Sequence, residues 1–193
     1  MYTSGGKNMK NRGFTLVELL VGMVIFSLVG GIAAGVLLSG LRAQRKTLAY
    51  QELLSQTSYL MEYMSRSLRM ARKELSAPAC LSQNGLNYEV AEIVPGHSGL
   101  KFKNYQGICQ GFFLQGDQLK EWKEGYAEPL SLTSADLEVL SFNPHLFGES
   151  QGTIEEPDND QSKVTIFFDI KGKEESKIKI QTTVSQRNLD ILQ

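Results

Sequence analysis

The sequence predicts an α+β fold, one long N-terminal helix packed on an antiparallel β-sheet, and three observations carry that expectation. Residues 14–41 form an apolar run in which Glu18 is the only ionisable side chain. Apolar residues then recur at helical spacing as far as Leu75. Beyond Pro78 the period falls from 3.6 to two, in short segments broken by glycine turns. At 193 residues, 41% hydrophobic and 21% charged, the chain suits one modest domain plus a membrane segment.

As a helix, residues 14–41 would extend about 42 Å, more than the roughly 30 Å of a hydrocarbon core. A carboxylate inside such a span costs about 2.5–3.5 kcal/mol on insertion scales unless something offsets it, so Glu18 is a functional candidate by default. Gly22, Gly30, Gly31, Gly35 and Gly40 permit close helix approach, although generic membrane-helix usage explains them equally well. Upstream lies a basic leader, Lys7, Lys10 and Arg12, ending in Gly13, with Met9 as a second potential start. An uncleaved signal anchor with Glu18 snorkelling to the interface would explain the carboxylate. It would not explain the order Gly13-Phe14-Thr15-Leu16-Val17-Glu18.

That order resembles the class III signal peptide of the type IV pilin and type II secretion pseudopilin family. The resemblance implies a pilin-like fold, cleavage between Gly13 and Phe14 by a prepilin peptidase, N-methylation of Phe14, and a role for Glu18 in assembly. It divides the chain into a leader (1–13), the transmembrane half of the helix (14–41), its amphipathic half (42–76) and a β-rich domain (77–193). It also implies a single-pass protein of the cytoplasmic membrane, with the domain outside, that later joins a filament of other pilin or pseudopilin subunits. Orientation rests on the resemblance alone, since Arg42, Arg45 and Lys46 follow the span much as the leader cations precede it. Cleavage would place an ammonium group on Phe14, four residues from Glu18 on one helix face. In a staggered bundle one subunit's Glu18 would neutralise its neighbour's terminal amine, and a methylated amine stays protonated.

After Leu41 the stripe Leu53, Thr57, Leu60, Met64, Leu68, Ala71 and Leu75 predicts a helix running unbroken to about Leu75, with Leu54 and Met61 widening the apolar face. Leu100–Lys103 alternates as a strand; residues 108–115 and 119–123 flank a hairpin turn at Gly116-Asp117. Residues 137–142 read as a bulged or mixed-face strand. Residues 164–170 and 178–184 form the best strand pair, joined through Lys171-Gly172-Lys173. The closing run Gln181-Thr182-Thr183-Val184-Ser185-Gln186-Arg187-Asn188-Leu189 resembles the last strand of J-type minor pseudopilins and W-type minor pilins, which implies a minor subunit.

Removing the leader takes three of the 20 Lys+Arg and none of the 21 Asp+Glu, shifting the formal charge from −1 to −4, which does not suit a polyanion-binding protein. Cys80 and Cys109 either pair, in the oxidising compartment the resemblance implies, or remain buried thiols; their spacing fits no zinc pattern. Glu155, Glu156, Asp158, Asn159 and Asp160 offer oxygen ligands, but without EF-hand spacing and with Pro157 among them they read as a solvated acidic loop. His97, His145, Ser98 and Ser150 form no catalytic constellation, and no cofactor or metal is expected. Trp122, Phe112, Phe113, Phe167 and Phe168 read as core or subunit interface. The expected protein is therefore a non-enzymatic minor pilin or pseudopilin that initiates or caps a filament. Two other readings stay open: a DNA-uptake subunit binding nucleic acid through Arg66, Arg69, Arg72 and Lys73, and a membrane-anchored domain that does not polymerise.

Overall fold

A computed structural model describes residues 13–75, 80–148 and 161–187. Helix α1 (Leu16–Arg69) is followed by β1 (Tyr88–Val94), β2 (His97–Lys103), β3 (Cys109–Gln115), β4 (Gln118–Lys123), β5 (Leu130–Ser131), β6 (Glu138–Phe147), β7 (Lys163–Lys171) and β8 (Lys177–Ser185). The chain thus has the expected α+β order, a long helix and then antiparallel strands. The chain divides into two units, Met1–Gln44 and Arg45–Gln193.

In the first unit α1 buries nothing. Its best 18-residue window has a mean hydropathy of 2.4, so it is long and apolar enough to cross a membrane. Phe14 is 85% exposed, and Leu16, Val29 and Val36 are likewise open.

In the second unit the 3.6-residue stripe does what its spacing predicts. Ala49, Leu53, Thr57, Leu60, Met64 and Leu68 are the buried residues of α1. Thr57 satisfies its hydroxyl within the helix, donating to the Leu53 carbonyl at 2.7 Å. These side chains join one core with Leu100, Phe102, Phe112, Val164, Ile166, Phe168 and Ile170.

The strands form two antiparallel sheets where a single sheet was expected: a meander in the order β1-β2-β3-β4-β5 and a three-stranded sheet β6-β7-β8. Gln115 pairs with Gln118 across the two-residue turn Gly116-Asp117. Gly116 has φ +60° while Asp117 stays at negative φ, the pattern of a type II′ turn. The irregularity expected in residues 137–142 is a bulge: the β6–β7 register shifts between Val139 and Ser141, and Leu140 is 41% exposed. Pro144 lies on β6, an outer strand of its sheet, where its missing N–H does least harm.

Three further features depart from the sequence reading. The helix stops at Arg69, about six residues early, because the sheets claim the chain that follows. Arg72 bridges to Lys103, its N–H reaching the Lys103 carbonyl at 2.8 Å, and Tyr88 Oη donates to the Leu68 carbonyl at 2.7 Å. Ala71 remains buried, but Leu75 is 74% exposed. The link between β7 and β8 is longer than Lys171-Gly172-Lys173: a short 3₁₀ turn, Lys173–Glu175, contains Glu174 and Glu175 at φ 51° and 57°. Strand β1 was not anticipated at all; it pairs with β2 across Pro95-Gly96.

Candidate functional site

The site begins at the first turn of α1. Thr15 precedes the helix and Glu18 is its third residue, a Ser/Thr-x-x-Glu capping box. The Thr15 N–H and Oγ1 both donate to Glu18 Oε2 at 2.9 Å, and the Glu18 N–H donates back to Thr15 Oγ1 at 3.3 Å. Helix N-termini leave backbone donors without partners, and this reciprocal arrangement satisfies two of them. It also places the carboxylate at the positive end of the helix dipole. Glu18 Oε1 has no hydrogen bond among the described residues. Beyond this turn a Cβ added to Gly22, Gly30, Gly31, Gly35 or Gly40 would meet nothing within 4 Å. The helix surface is therefore open along the apolar run.

Residues 8–34 match the prokaryotic N-terminal methylation motif. The match covers the Gly13-Phe14 junction, Glu18 and more than half of the apolar run. It supports the type IV pilin and pseudopilin family, and with it a pilin-type precursor that is a substrate of prepilin peptidase. No curated protein and no solved structure matches the chain significantly. The methylation motif and the long apolar helix are together consistent with a membrane-anchored pilin-type precursor. Sequence reading singled out Glu18 but overlooked its bond to Thr15, although Thr15-x-x-Glu18 before an apolar run is the written signature of a capping box.

The other candidates lie in the domain. Cys80 and Cys109 are joined as a disulfide with their Cα atoms 5.4 Å apart, packed with Leu81, Leu86 and Trp122. This ties the segment after α1 to β3. Nearby, Glu74 is fully buried and pairs with Lys103 Nζ at 2.8 Å while accepting the Cys80 N–H at 3.2 Å. Burial works to raise the Glu74 pKa. The Lys103 ammonium and the backbone donors of Cys80 and Leu81 outweigh it and hold the carboxyl below its usual range. Neither Glu74 nor Lys103 was marked in the sequence, because nothing in a lone Glu-x₂₈-Lys separation signals contact.

A second polar cluster sits under α1. Tyr63 Oη donates to Glu121 Oε1 at 2.7 Å, Lys123 Nζ lies 3.0 Å from Glu121 Oε2, and Gln110 Nε2 donates to Glu121 Oε1 at 2.5 Å. Burial pushes the Tyr63 phenol pKa up, and the bond to Glu121 reinforces it. The cluster forms one side of a hollow of about 450 Å³ whose walls include Met70, Tyr105, Ile108 and Tyr126.

His97 lies against Phe113 with ring centroids 5.9 Å apart, and His145 stands edge-on to Phe167 at 5.4 Å. Phe112, Phe113 and Phe168 are core residues, and Phe167 is 37% exposed. Among the described residues no group of three His, Cys, Asp or Glu could hold a metal ion. The acidic stretch 155–160, the leader cations and Ser150 lie outside the described residues. Of the four basic residues, Arg66 and Arg69 stand in the last turn of α1 and Arg72 and Lys73 follow it; Arg66 pairs with Glu62 at 2.9 Å, and the Arg72 N–H donates to the Lys103 carbonyl of β2.

Proposed function

We propose that this chain is a minor pilin or pseudopilin, cleaved between Gly13 and Phe14 and methylated on Phe14, whose Glu18 sets subunit register by pairing with a neighbour's Phe14 amine. The observation that carries the proposal is the coincidence of the methylation motif with an apolar run, 14–41, whose single carboxylate has no cation beside it among the described residues. The two oxygens of Glu18 divide the work. Oε2 caps its own helix through Thr15, and Oε1 is left for an ammonium group from another subunit. Two charges brought together in a hydrocarbon environment cancel costs that neither would bear alone.

In this reading the domain faces away from the cytoplasm, the Cys80–Cys109 bond forms there, and the subunit helps start or cap a filament. The closing β8 sequence, through its resemblance to J-type and W-type minor subunits, favours the minor role over the major repeating one. Intact-mass and N-terminal analysis of the membrane-extracted protein tests the foundation. The expected product begins at Phe14 and carries one additional methylene of mass. Retention of residues 1–13 in cells with an active prepilin peptidase would overturn the proposal.

A further inference from the structure

Between the last turns of α1 and the outer strand β8 lies an open groove of about 900 Å³, lined by Glu62, Arg66, Arg69, Thr183, Ser185 and Arg187 together with two methionines. Its charge runs against that of the chain, which carries −1 overall. Arg66 is held only by the exposed i,i+4 pair to Glu62, an interaction worth about 0.3–0.5 kcal/mol and easily exchanged. Arg69 and Arg187 have no ion pair among the described residues; their backbones are joined, the Arg187 N–H donating to the Arg69 carbonyl at 2.9 Å, and both line the groove. The helix dipole accounts for cations in the last turn of α1. It does not account for Arg187, which arrives from the end of β8.

The strand beside these arginines is open. In the order β6-β7-β8, β8 is an edge, and no other described strand pairs with its free side. Natural edges are guarded by charge. Here Lys177 and Lys179 guard the far end, whereas Gln181-Thr182-Thr183-Val184-Ser185, the half beside the groove, has no charged residue. An unguarded edge offers backbone hydrogen bonds, and a guanidinium group selects carboxylates by two-pronged hydrogen bonding.

We propose that this groove takes an extended acidic segment of a partner protein, added as a strand to β8 over residues 181–185, with its carboxylates on Arg66, Arg69 and Arg187. The site is independent of the N-terminal assembly segment and stands whether or not the leader is cleaved.

The test is fluorescence anisotropy of the full chain in detergent micelles with a labelled peptide of alternating Glu and Thr. Binding is expected at low salt. It should weaken at least about tenfold in the double variant Arg69→Gln/Arg187→Gln, roughly 1.4 kcal/mol or more. Both side chains are on the surface, and an unchanged melting temperature shows that the fold is kept. A peptide of the same sequence with every peptide nitrogen methylated keeps the charge but has no backbone N–H to give to an edge, and its methyl groups block the approach of a neighbouring strand; it should bind at least tenfold less. Four results would overturn the proposal: no binding at about 1 mM peptide; equal binding of the N-methylated peptide; tighter binding of a single-stranded oligonucleotide through the same arginines, which would make the groove a nucleic-acid site; or a tenfold gain in a chain ending at Arg187, which would make residues 188–193 the occupant.

Discussion

Thr15 and Glu18 close the first turn of α1 on each other, Thr15 giving its N–H and hydroxyl to Glu18 Oε2 and taking back the Glu18 N–H. A glutamate near the start of an apolar run thus has a local structural role as well as any role between subunits, and the two are separable. Glutamine at this position retains the capping bond from the Thr15 N–H but carries no charge. Glu18→Gln should therefore leave helix content and leader cleavage near normal while reducing filament incorporation at least tenfold, read from the fraction of subunits in sheared filaments. Thr15→Ala should do the reverse, costing about 1 kcal/mol of helix capping with incorporation largely kept. Normal incorporation of the Glu18→Gln variant would mean that Glu18 is a cap and nothing more.

The Glu74–Lys103 pair gives the domain an acid limit. Because the Glu74 pKa is depressed in the folded chain, its contribution to stability is complete above the ordinary carboxylate value and is lost as pH falls through the lower, folded value. Denaturant midpoints of the detergent-solubilised chain should fall below about pH 4, and less steeply in Glu74→Gln. Glu74→Ala, which leaves the largely buried Lys103 ammonium without its partner, should cost about 3 kcal/mol at neutral pH.

The Cys80–Cys109 bond closes a loop across a separation of 29 residues. The chain-entropy model assigns such a closure about 3–4 kcal/mol. Reduction, or the double variant Cys80→Ala/Cys109→Ala, should lower unfolding stability by about that amount. The unreduced protein should take up no alkylating reagent at either cysteine. Two freely alkylated thiols would remove the bond.

Two glycines in the five-stranded sheet make unequal demands. A Cβ on Gly99 would run into the Phe112 carbonyl oxygen and lie 2.7 Å from the Phe113 Cβ, both on the neighbouring strand. On Gly111 its closest contact would be the Ile93 Cδ1 at 2.6 Å, the movable end of a flexible side chain. Gly99→Ala should cost about 2–3 kcal/mol and Gly111→Ala distinctly less, measured by thermal unfolding. Equal losses would show that Ile93 cannot yield.

The readable parts of the fold were those written in local periodicity. Leu53, Thr57, Leu60, Met64 and Leu68 announced their shared face at steps of three and four, and each is buried. Gly116-Asp117 between alternating runs announced its hairpin. Strand β1 went unread because its alternation is faint: of Tyr88–Val94 only Tyr88 is fully buried, and Glu89 and Glu92 interrupt the rest. Its clearest local signal is the Pro95-Gly96 dipeptide that follows it, between Val94 and its partner His97.

What the sequence determined by itself was the N-terminal motif, because its chemistry is local: basic residues ahead of Gly13-Phe14, one carboxylate and an apolar run long enough to cross a bilayer need only the order of residues. What only the tertiary structure decided were the contacts between distant segments. These include the end of α1 at Arg69, the split into two sheets, the burial of Glu74 against Lys103, and the meeting of Arg187 with Arg69. Each depends on which backbone groups and side chains the folded sheets bring to a given point. A hydrogen bond between residues as far apart in the chain as Arg69 and Arg187 leaves no periodic trace in the sequence that forms it.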